Sequence, residues 1–418
     1  MPRRRVLMLT TDTGFGGAER SFSNVCAALS LEHQVEACIF SSSEPGHFPV
    51  PVPLHELRVP RGRTTLDKVA GLAERVRRVR ALKRSLRVDL CISFLEGADY
   101  VNVLSRGSER VVLSVRGSKR FDEHIRGPLG RLRQQVLLPL VFRGADAIVA
   151  LSAGVRAELL THYRLPPSSP IRVIHNFFDI DRIKTQSLEP LDPTLAGFFQ
   201  EREVLVSHGR LSHEKGPQHL IELLSVLRQR RPRLALLLAG DGPARGDLLA
   251  LAASRGLRGR WLPDDPAAPL SDVDVLFLGH QANPYRLLPR SRLFLLASSA
   301  EGFGNSILEA MIAGTPVVSV DCPYGPREIL APGTPRPQAV PAMERAAYGF
   351  LMPTFLEADL TRVYGLWARE ILSLLEDPAA LVAMAARGQQ RAQDFREEAI
   401  ARRWCELVDE ITAPHQGR

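Results

Sequence analysis

The chain has 418 residues, 45% apolar and 24% charged, an ordinary globular balance in a length that usually needs two hydrophobic cores. Its apolar runs, such as VLLPLVF (136–142) and LALLLAG (234–240), stop well short of the roughly 18 residues that cross a bilayer. Five scattered cysteines without a CxxC pair argue for reduced thiols in a cytosolic protein and against a zinc site, and the net charge of +8 suits an anionic substrate or an anionic membrane surface.

The opening MPRRRVLMLTT leads into a strand, VLMLT (6–10), rather than into the apolar core of a signal peptide. A glycine loop follows, then a helix from about Ala18 to Leu29. VEACIF (35–40), LCISF (90–94), VVLSV (111–115) and AIVALS (147–152) are further strand candidates, and RVIHNFF (172–178) closes the set. Helices between them give a βα repeat and so a parallel sheet covered on both faces. One of these, LDKVAGLAERVRRVRALKRSLRV (66–88), is basic, with apolar positions Val69, Leu72, Val76, Val79, Leu82 and Leu86 at helical spacing. Such a helix can lie on an anionic leaflet, or it can be an outer helix whose arginine side is merely wet.

Residues 181–202 turn polar, with Pro190 and Pro193, and read as a linker. A second βα series then begins with VLVSHG (204–209), LALLLAG (234–240), VLFLGH (275–280), LFLLAS (293–298) and TPVVSV (315–320). The organisation expected is therefore an acceptor-side domain over 1–180, a nucleotide-sugar domain over 203–395, and a terminal helix over 396–418. Both domains are α/β, Rossmann-like and doubly wound, facing a cleft with ligand at the C-terminal ends of their strands.

The strongest chemical signal is EGFGNSILEA (301–310), directly after a strand. A single helix would leave Glu301 and Glu309 about 80° apart, so Glu301 is expected in the loop, with a helix starting near Asn305. The glycines let the backbone of Phe303, Gly304, Asn305 and Ser306 come close to a ligand, and N–H groups at a helix start bind phosphate or sugar oxygens. A carboxylate accepts two parallel hydrogen bonds from vicinal hydroxyls. Carboxylates near a sugar and a ribose, with amides between, describe a nucleotide-sugar clamp. A helix cap followed by ordinary surface glutamates is the bland alternative.

HGRLSHEKG (208–216) also follows a strand and offers Arg210 and Lys215 as fixed positive charge for a departing pyrophosphate. GFGGAER (14–20) forms a third loop, in which Gly16 and Gly17 bare the backbone to an anion. Glu19 fits two roles, a first-turn helix residue or an acceptor contact. Asp272-Val273-Asp274 matches the DxD that holds metal in other sugar transferases, but it runs straight into a buried strand. With Arg210 and Lys215 present a metal is redundant, so neither metal nor cofactor is expected.

GGAER, GRLSHEKG, GDGPARGDLLALA (240–252), EGFGNSILEAMIAGTPVVS (301–319) and GPREIL (325–330) stand in the order seen in the family-four retaining glycosyltransferases of GT-B fold, which this chain resembles over almost its whole length. The members it looks like build bacterial surface polysaccharides or lipid-linked oligosaccharides. The resemblance implies transfer of a hexose or N-acetylhexosamine from a nucleotide diphosphate sugar, UDP favoured, to a glycan or polyprenyl-linked acceptor. By it Glu301 contacts donor-sugar hydroxyls, Glu309 the ribose, Arg210 and Lys215 the diphosphate, and the 303–306 amides the sugar and phosphate. LGHQANPYRLL (278–288) borders the base, and the terminal helix with Trp404 packs back on the first domain.

Several relatives carry a histidine where SVRGSKRFDEH (114–124) stands here, so Arg116 takes roughly that place, and His124 is an acceptor-side candidate or an exposed helix residue. The connection 331–348 is long, and the proline-rich 44–63 matches nothing in the pattern. Two other classes stay open: a nucleotide-sugar epimerase of the same fold, which would consume donor without an acceptor, and a non-catalytic nucleotide-sugar-binding protein. Basic residues abound, yet no aromatic stacking set or nucleic-acid module accompanies them, so no nucleic-acid partner is expected.

Overall fold

A computed structural model describes residues 3–14, 16–41, 48–60, 62, 64–118, 120, 127–335, 342–356 and 359–413. The chain divides into two compact units: Met1–Phe177 with Glu397–Arg418, and Phe178–Arg396. His124 lies outside the described residues, as does most of the proline-rich part of the 331–348 connection.

Unit 1 carries strands β1 (Arg5–Thr10), β2 (Gln34–Ile39), β3 (Leu54–Glu56), β4 (Leu90–Phe94), β5 (Arg110–Val115), β6 (Ala147–Ala150) and β7 (Ile171–Val173), with helices α1 (Gly17–Ser30), α2 (Thr65–Ser85), α3 (Glu96–Leu104), α4 (Gly127–Leu132), α5 (Leu138–Arg143) and α6 (Ala153–Thr161). The strands form one parallel sheet in the order β3-β2-β1-β4-β5-β6-β7. Its central strands are continuous apolar runs because helices cover both faces: Val6, Leu7, Met8 and Leu9 are all buried. Strand β3 escapes the sequence reading because only LHE, amid prolines, pairs with β2 at the sheet edge.

Helix α2 starts on a capping box in which Thr64 and Asp67 exchange backbone and side-chain bonds. Most of its apolar stripe is taken up inside the unit, while Val69 at its start stays exposed. Val79 is buried, and Leu72, Val76, Leu82 and Leu86 pack on the core formed by Leu7, Leu9, Phe40 and Val101. Lys83, one of the basic residues of 66–88, is buried in an ion pair with Glu109 at 2.8 Å. Of the two readings of 66–88, the outer helix of this unit accounts for the apolar positions that are buried. The hydrophobic face is used within unit 1, and what α2 presents outward is chiefly its charge.

Unit 2 contains β8 (Glu203–His208), β9 (Leu234–Ala239), β10 (Gly259–Trp261), β11 (Val275–Gly279), β12 (Leu293–Leu296), β13 (Val317–Val320), β14 (Glu344–Arg345) and β15 (Phe350–Met352). Their order is β10-β11-β9-β8-β12-β13-β15-β14, parallel except for the β14–β15 pair. Its helices are α7 (Ile180–Ser187), α8 (Pro193–Glu201), α9 (Pro217–Leu227), α10 (Arg245–Ser254), α11 (Asn305–Ile312), α12 (Gly325–Leu330), α13 (Leu360–Leu375) and α14 (Pro378–Ala392).

The segment expected as a linker, 181–202, is instead two helices of unit 2. Asp179 and Asp192 cap α7 and α8 by accepting the N–H groups of Arg182 and Leu195, each at 2.9 Å, and Ile180, Ile183, Leu195 and Phe198 are buried. Two turns of helix are too short to show a hydrophobic period. The last helix, α15 (Glu397–Thr412), belongs to unit 1, where it packs on α1 and stacks the fully buried Trp404 on Phe94 with ring centroids 5.9 Å apart.

Each sheet changes its winding direction beside its first strand. In unit 1 the switch falls between β1 and β4, and in unit 2 between β8 and β12. Ligands of doubly wound sheets bind outside the carboxyl ends of the strands at such a point. The loops that follow β8 and β12 carry GRLSHEKG and SSAEGFG.

Candidate active site

The loop after β8 is held by the loops beside it. Gly209 N–H donates to Ala239 O and Leu211 N–H to Asp241 O, each at 3.0 Å, which leaves Arg210 between two anchored residues, exposed and without an ion pair among the described residues. A 3-10 turn over His213–Lys215 then brings the chain to Gly216, at φ +72°. A side chain is excluded there on two counts: the left-handed backbone, and a Cβ position 2.1 Å from Ala297 O. The β8 loop thus presses directly on the end of β12. Ser299 N–H completes the seam by donating to Glu214 O at 2.9 Å.

That seam delivers Lys215 to Glu301. Lys215 Nζ donates to Glu301 Oε1 at 2.7 Å, and Ser298 Oγ donates to the same oxygen at 2.7 Å. The Glu301 side chain is only 10% exposed, whereas Lys215 is half-buried. Burial pulls the Lys215 pKa down, but the Glu301 carboxylate more than offsets it, so the ammonium ends above its ordinary value and stays charged at neutral pH. Glu301 is fixed through its backbone as well. Its N–H donates to Pro323 O at 2.7 Å, and its carbonyl accepts from Tyr324 N–H at 2.8 Å.

As the spacing predicts, Glu301 stands in the loop and α11 begins at Asn305. Gly304 is its N-cap at φ +99°, a conformation open to glycine, and no side chain caps the helix start. Asn305 and Ser306 form the half-buried first turn, while the Phe303 side chain is core, 2% exposed and edge-on to Phe395. Only the backbone of Phe303 is therefore available as a ligand contact.

Glu309, one turn further on, is buried, with its Oε2 3.3 Å from His208 Nε2. His208 is a residue the sequence reading left without a role. It is the last residue of β8, two positions before Arg210, and it ties the second carboxylate to the strand that carries the basic loop. Its signal was present, a polar side chain ending an apolar strand at a winding switch, but only the folded chain shows what it meets. All four residues singled out thus stand on the loops and helix that the unit-2 switch point brings together.

The Asp272–Asp274 pair lies elsewhere. It precedes β11 and so stands at the opposite, N-terminal edge of the sheet. Asp274 is buried, accepts the Arg258 N–H at 2.9 Å and pairs with Arg228 at 2.9 Å. Its carboxylate is thus already neutralised by arginine.

In unit 1, Gly16 is the N-cap of α1 and Gly17 its first residue, at the C-terminal edge of the sheet. The Glu19 carboxylate folds back over this helix start; a Cβ on Gly16 would come 2.1 Å from its Oε2. That geometry favours the first-turn helix role over an acceptor contact. Arg116, after β5, is buried among Ser21, Ser114, Asn176 and Phe94.

The family model described as Glycosyltransferase Family 4 matches residues 15–182, and the model described as Glycosyl transferases group 1 matches residues 202–348. Over 319 residues the chain is 25% identical to the N-acetylgalactosamine-N,N'-diacetylbacillosaminyl-diphospho-undecaprenol 4-alpha-N-acetylgalactosaminyltransferase of Campylobacter jejuni, covering 76% of this chain and 80% of that one. It is 30% identical over 268 residues to the lipopolysaccharide core biosynthesis glycosyltransferase LpsE of Rhizobium meliloti, covering 64% and 65% of the two chains. Several other relatives are matched over only 51% to 64% of their length. In three dimensions the chain is similar to Anabaena HepE in complex with UDP and glucose, with a TM-score of 0.72 at 20% identity, over 97% of this chain and all of that one.

Proposed function

Because this chain belongs to the glycosyltransferases of GT-B fold that join a family-four domain to a group-1 domain, we propose that it moves a hexose or N-acetylhexosamine from a UDP-sugar to a glycan or lipid-linked acceptor of cell-surface polysaccharide synthesis. The observation that carries this reading is the contact between Lys215 and Glu301 at the unit-2 switch point, with Glu309 and Arg210 on the adjoining segments. The Campylobacter and Rhizobium relatives, by their names, support a lipid-linked or lipopolysaccharide acceptor, and the HepE complex supports uridine diphosphate as the carrier.

In this reading Lys215 enters the reaction already cationic and takes the β-phosphate, while Arg210 forks onto the diphosphate from the exposed side. Glu301 Oε1 is occupied by Lys215 and Ser298, and its Oε2 accepts a donor-sugar hydroxyl. Glu309, steadied by His208, accepts the ribose hydroxyls, and the backbone at the start of α11 faces sugar and phosphate. The acceptor oxygen bonds to the anomeric carbon from the side on which the carbon–phosphate oxygen bond breaks. Its proton passes to the departing diphosphate, so the configuration is retained and no enzymic nucleophile is consumed. Positive charge comes from Arg210 and Lys215, so transfer proceeds without a divalent ion.

Among the described residues no helix is long and apolar enough to cross a membrane. We place the protein in the cytoplasm, at most peripheral on the inner face of the plasma membrane through the outward charge of α2. A thermal-shift series with UDP, GDP and their sugars tests the donor: UDP compounds raise the melting temperature by mass action, and indifference to all of them sinks the reading. Incubation with the UDP-sugar alone separates the epimerase, which would convert the donor without any acceptor. Transfer that persists in EDTA with an α-linked product supports the rest, and loss of activity in EDTA restored by a divalent ion counts against it.

A further inference from the structure

Three Lys or Arg residues are buried among the described residues: Lys83, Arg327 and Arg116. The first two follow the usual rule that a buried cation brings a carboxylate with it. Lys83 pairs with Glu109 at 2.8 Å, and Arg327 with Asp321 at 2.9 Å and Glu344 at 2.6 Å. Arg116 has no such partner among the described residues. Its Nη1 donates to Ser114 Oγ at 3.2 Å, and its Nη2 to Ser21 Oγ at 2.6 Å and to Asn176 Oδ1. The guanidinium lies over the Phe94 ring, 5.1 Å from its centroid, and Nε is buried without a hydrogen bond.

Each of these contacts is neutral. Burial alone acts on the charge and pushes the pKa of Arg116 down to about 9, yet the group remains a cation at neutral pH. An uncompensated buried charge is costly, and an orphaned buried N–H asks for a partner. The position is also informative. Arg116 follows β5, Ser21 lies in the second turn of α1, and Asn176 follows β7, all at the C-terminal edge of the unit-1 sheet. Serine hydroxyls and an asparagine amide can each turn to donate, so the whole set can face an oxyanion. The start of α1 is not included, because Glu19 covers it.

We propose that Arg116, with Ser21 and Asn176, forms an anion subsite that takes a phosphate group of the acceptor, a counter-charge that no described residue supplies. The assignment depends on the transferase reading only in calling the ligand an acceptor. Arg116 is then a binding residue that selects anionic acceptors over neutral ones, and bond-making stays with the groups of unit 2.

Inorganic phosphate is the probe, titrated into the full chain with UDP saturating and with sodium chloride at equal ionic strength as reference. Wild type should gain melting temperature with phosphate beyond chloride, and Arg116→Met should lose that gain while keeping its response to UDP. No phosphate-specific gain in wild type, or an equal gain in Arg116→Met, overturns the subsite. Should Arg116→Met fail to fold, Arg116→Lys retains the charge but not the fork. Its phosphate dissociation constant should weaken at least threefold, and an unchanged constant overturns the proposal equally. Absence of the UDP response alone speaks against the donor reading, and the phosphate arm is then read without UDP.

Discussion

The two sheets share the same winding about their first strand, yet the crevices at their C-terminal edges are chemically unlike. At the unit-2 edge the cation meets a carboxylate: Lys215 holds Glu301 at 2.7 Å. At the unit-1 edge Arg116 is buried against hydroxyls, an amide and a ring. Topology supplies a crevice in both cases, and the few polar residues at the strand ends decide what it can hold. A charge-matched site can wait empty at little cost. An unmatched one gains most when an anion arrives.

The largest expected effect separates scaffold from site. Trp404→Ala empties a fully buried position against Phe94 in unit 1 and should cost about 3–5 kcal/mol of stability, read by denaturant unfolding. Affinity for UDP, which the proposed function assigns to unit 2, should survive in whatever fraction remains folded. Parallel loss of UDP affinity in that folded fraction would erase the distinction between the regions.

Glu301→Ala should depress transfer well over tenfold, more than about 1.4 kcal/mol of barrier, measured as product formed from UDP-sugar and acceptor. Near-normal turnover would remove Glu301 from the reaction. Lys215→Met strands Glu301 and removes a charge-assisted bond worth about 1.5–3 kcal/mol. It should weaken UDP binding about tenfold or more, and calorimetry showing unchanged affinity would break the assignment of the basic loop.

A smaller effect sharpens the comparison through pH. His219 stacks on Phe355 with centroids 4.4 Å apart and meets the Tyr364 hydroxyl at 2.8 Å, and burial, partly opposed by Glu222, pulls its pKa down to about 4. The unfolded chain therefore takes up a proton that the folded chain refuses. This contribution is complete above the ordinary histidine value of 6.5 and is lost as pH falls toward 4. Wild type should show a steeper fall of melting temperature over that window than His219→Gln; equal slopes would refute it. The smallest effect belongs to Asp272→Asn. This exposed residue of the DxD match should change stability by no more than about 0.5 kcal/mol and leave transfer intact, and a collapse of activity would reopen a metal role.

Much of this molecule was legible before folding. Runs such as LALLLAG announce parallel strands because burial on both faces demands uninterrupted apolar residues. The glutamates, the basic pair and the glycines of 301–309 and 208–216 stand out because carboxylates, fixed cations and bare backbone directly after a strand are the groups the proposed donor would require. Short elements were harder to see. Strands β3, β10 and β14 and helices α7 and α8 are two to nine residues long, too brief for a period and dependent on neighbours for their stability.

By itself the sequence determined the alternation of strands and helices, the two-unit plan and which loops carry the candidate site residues, since these follow from local pattern and side-chain chemistry. Only the tertiary structure decided which groups meet. His208 finds Glu309, most of the stripe of α2 is taken up by its own core, Asp274 is claimed by arginines, and Arg116 is buried with no acid beside it among the described residues. The reason is physical: pairing and burial depend on residues far apart in the chain, and no local pattern records the distance between two side chains until the sheet has set it.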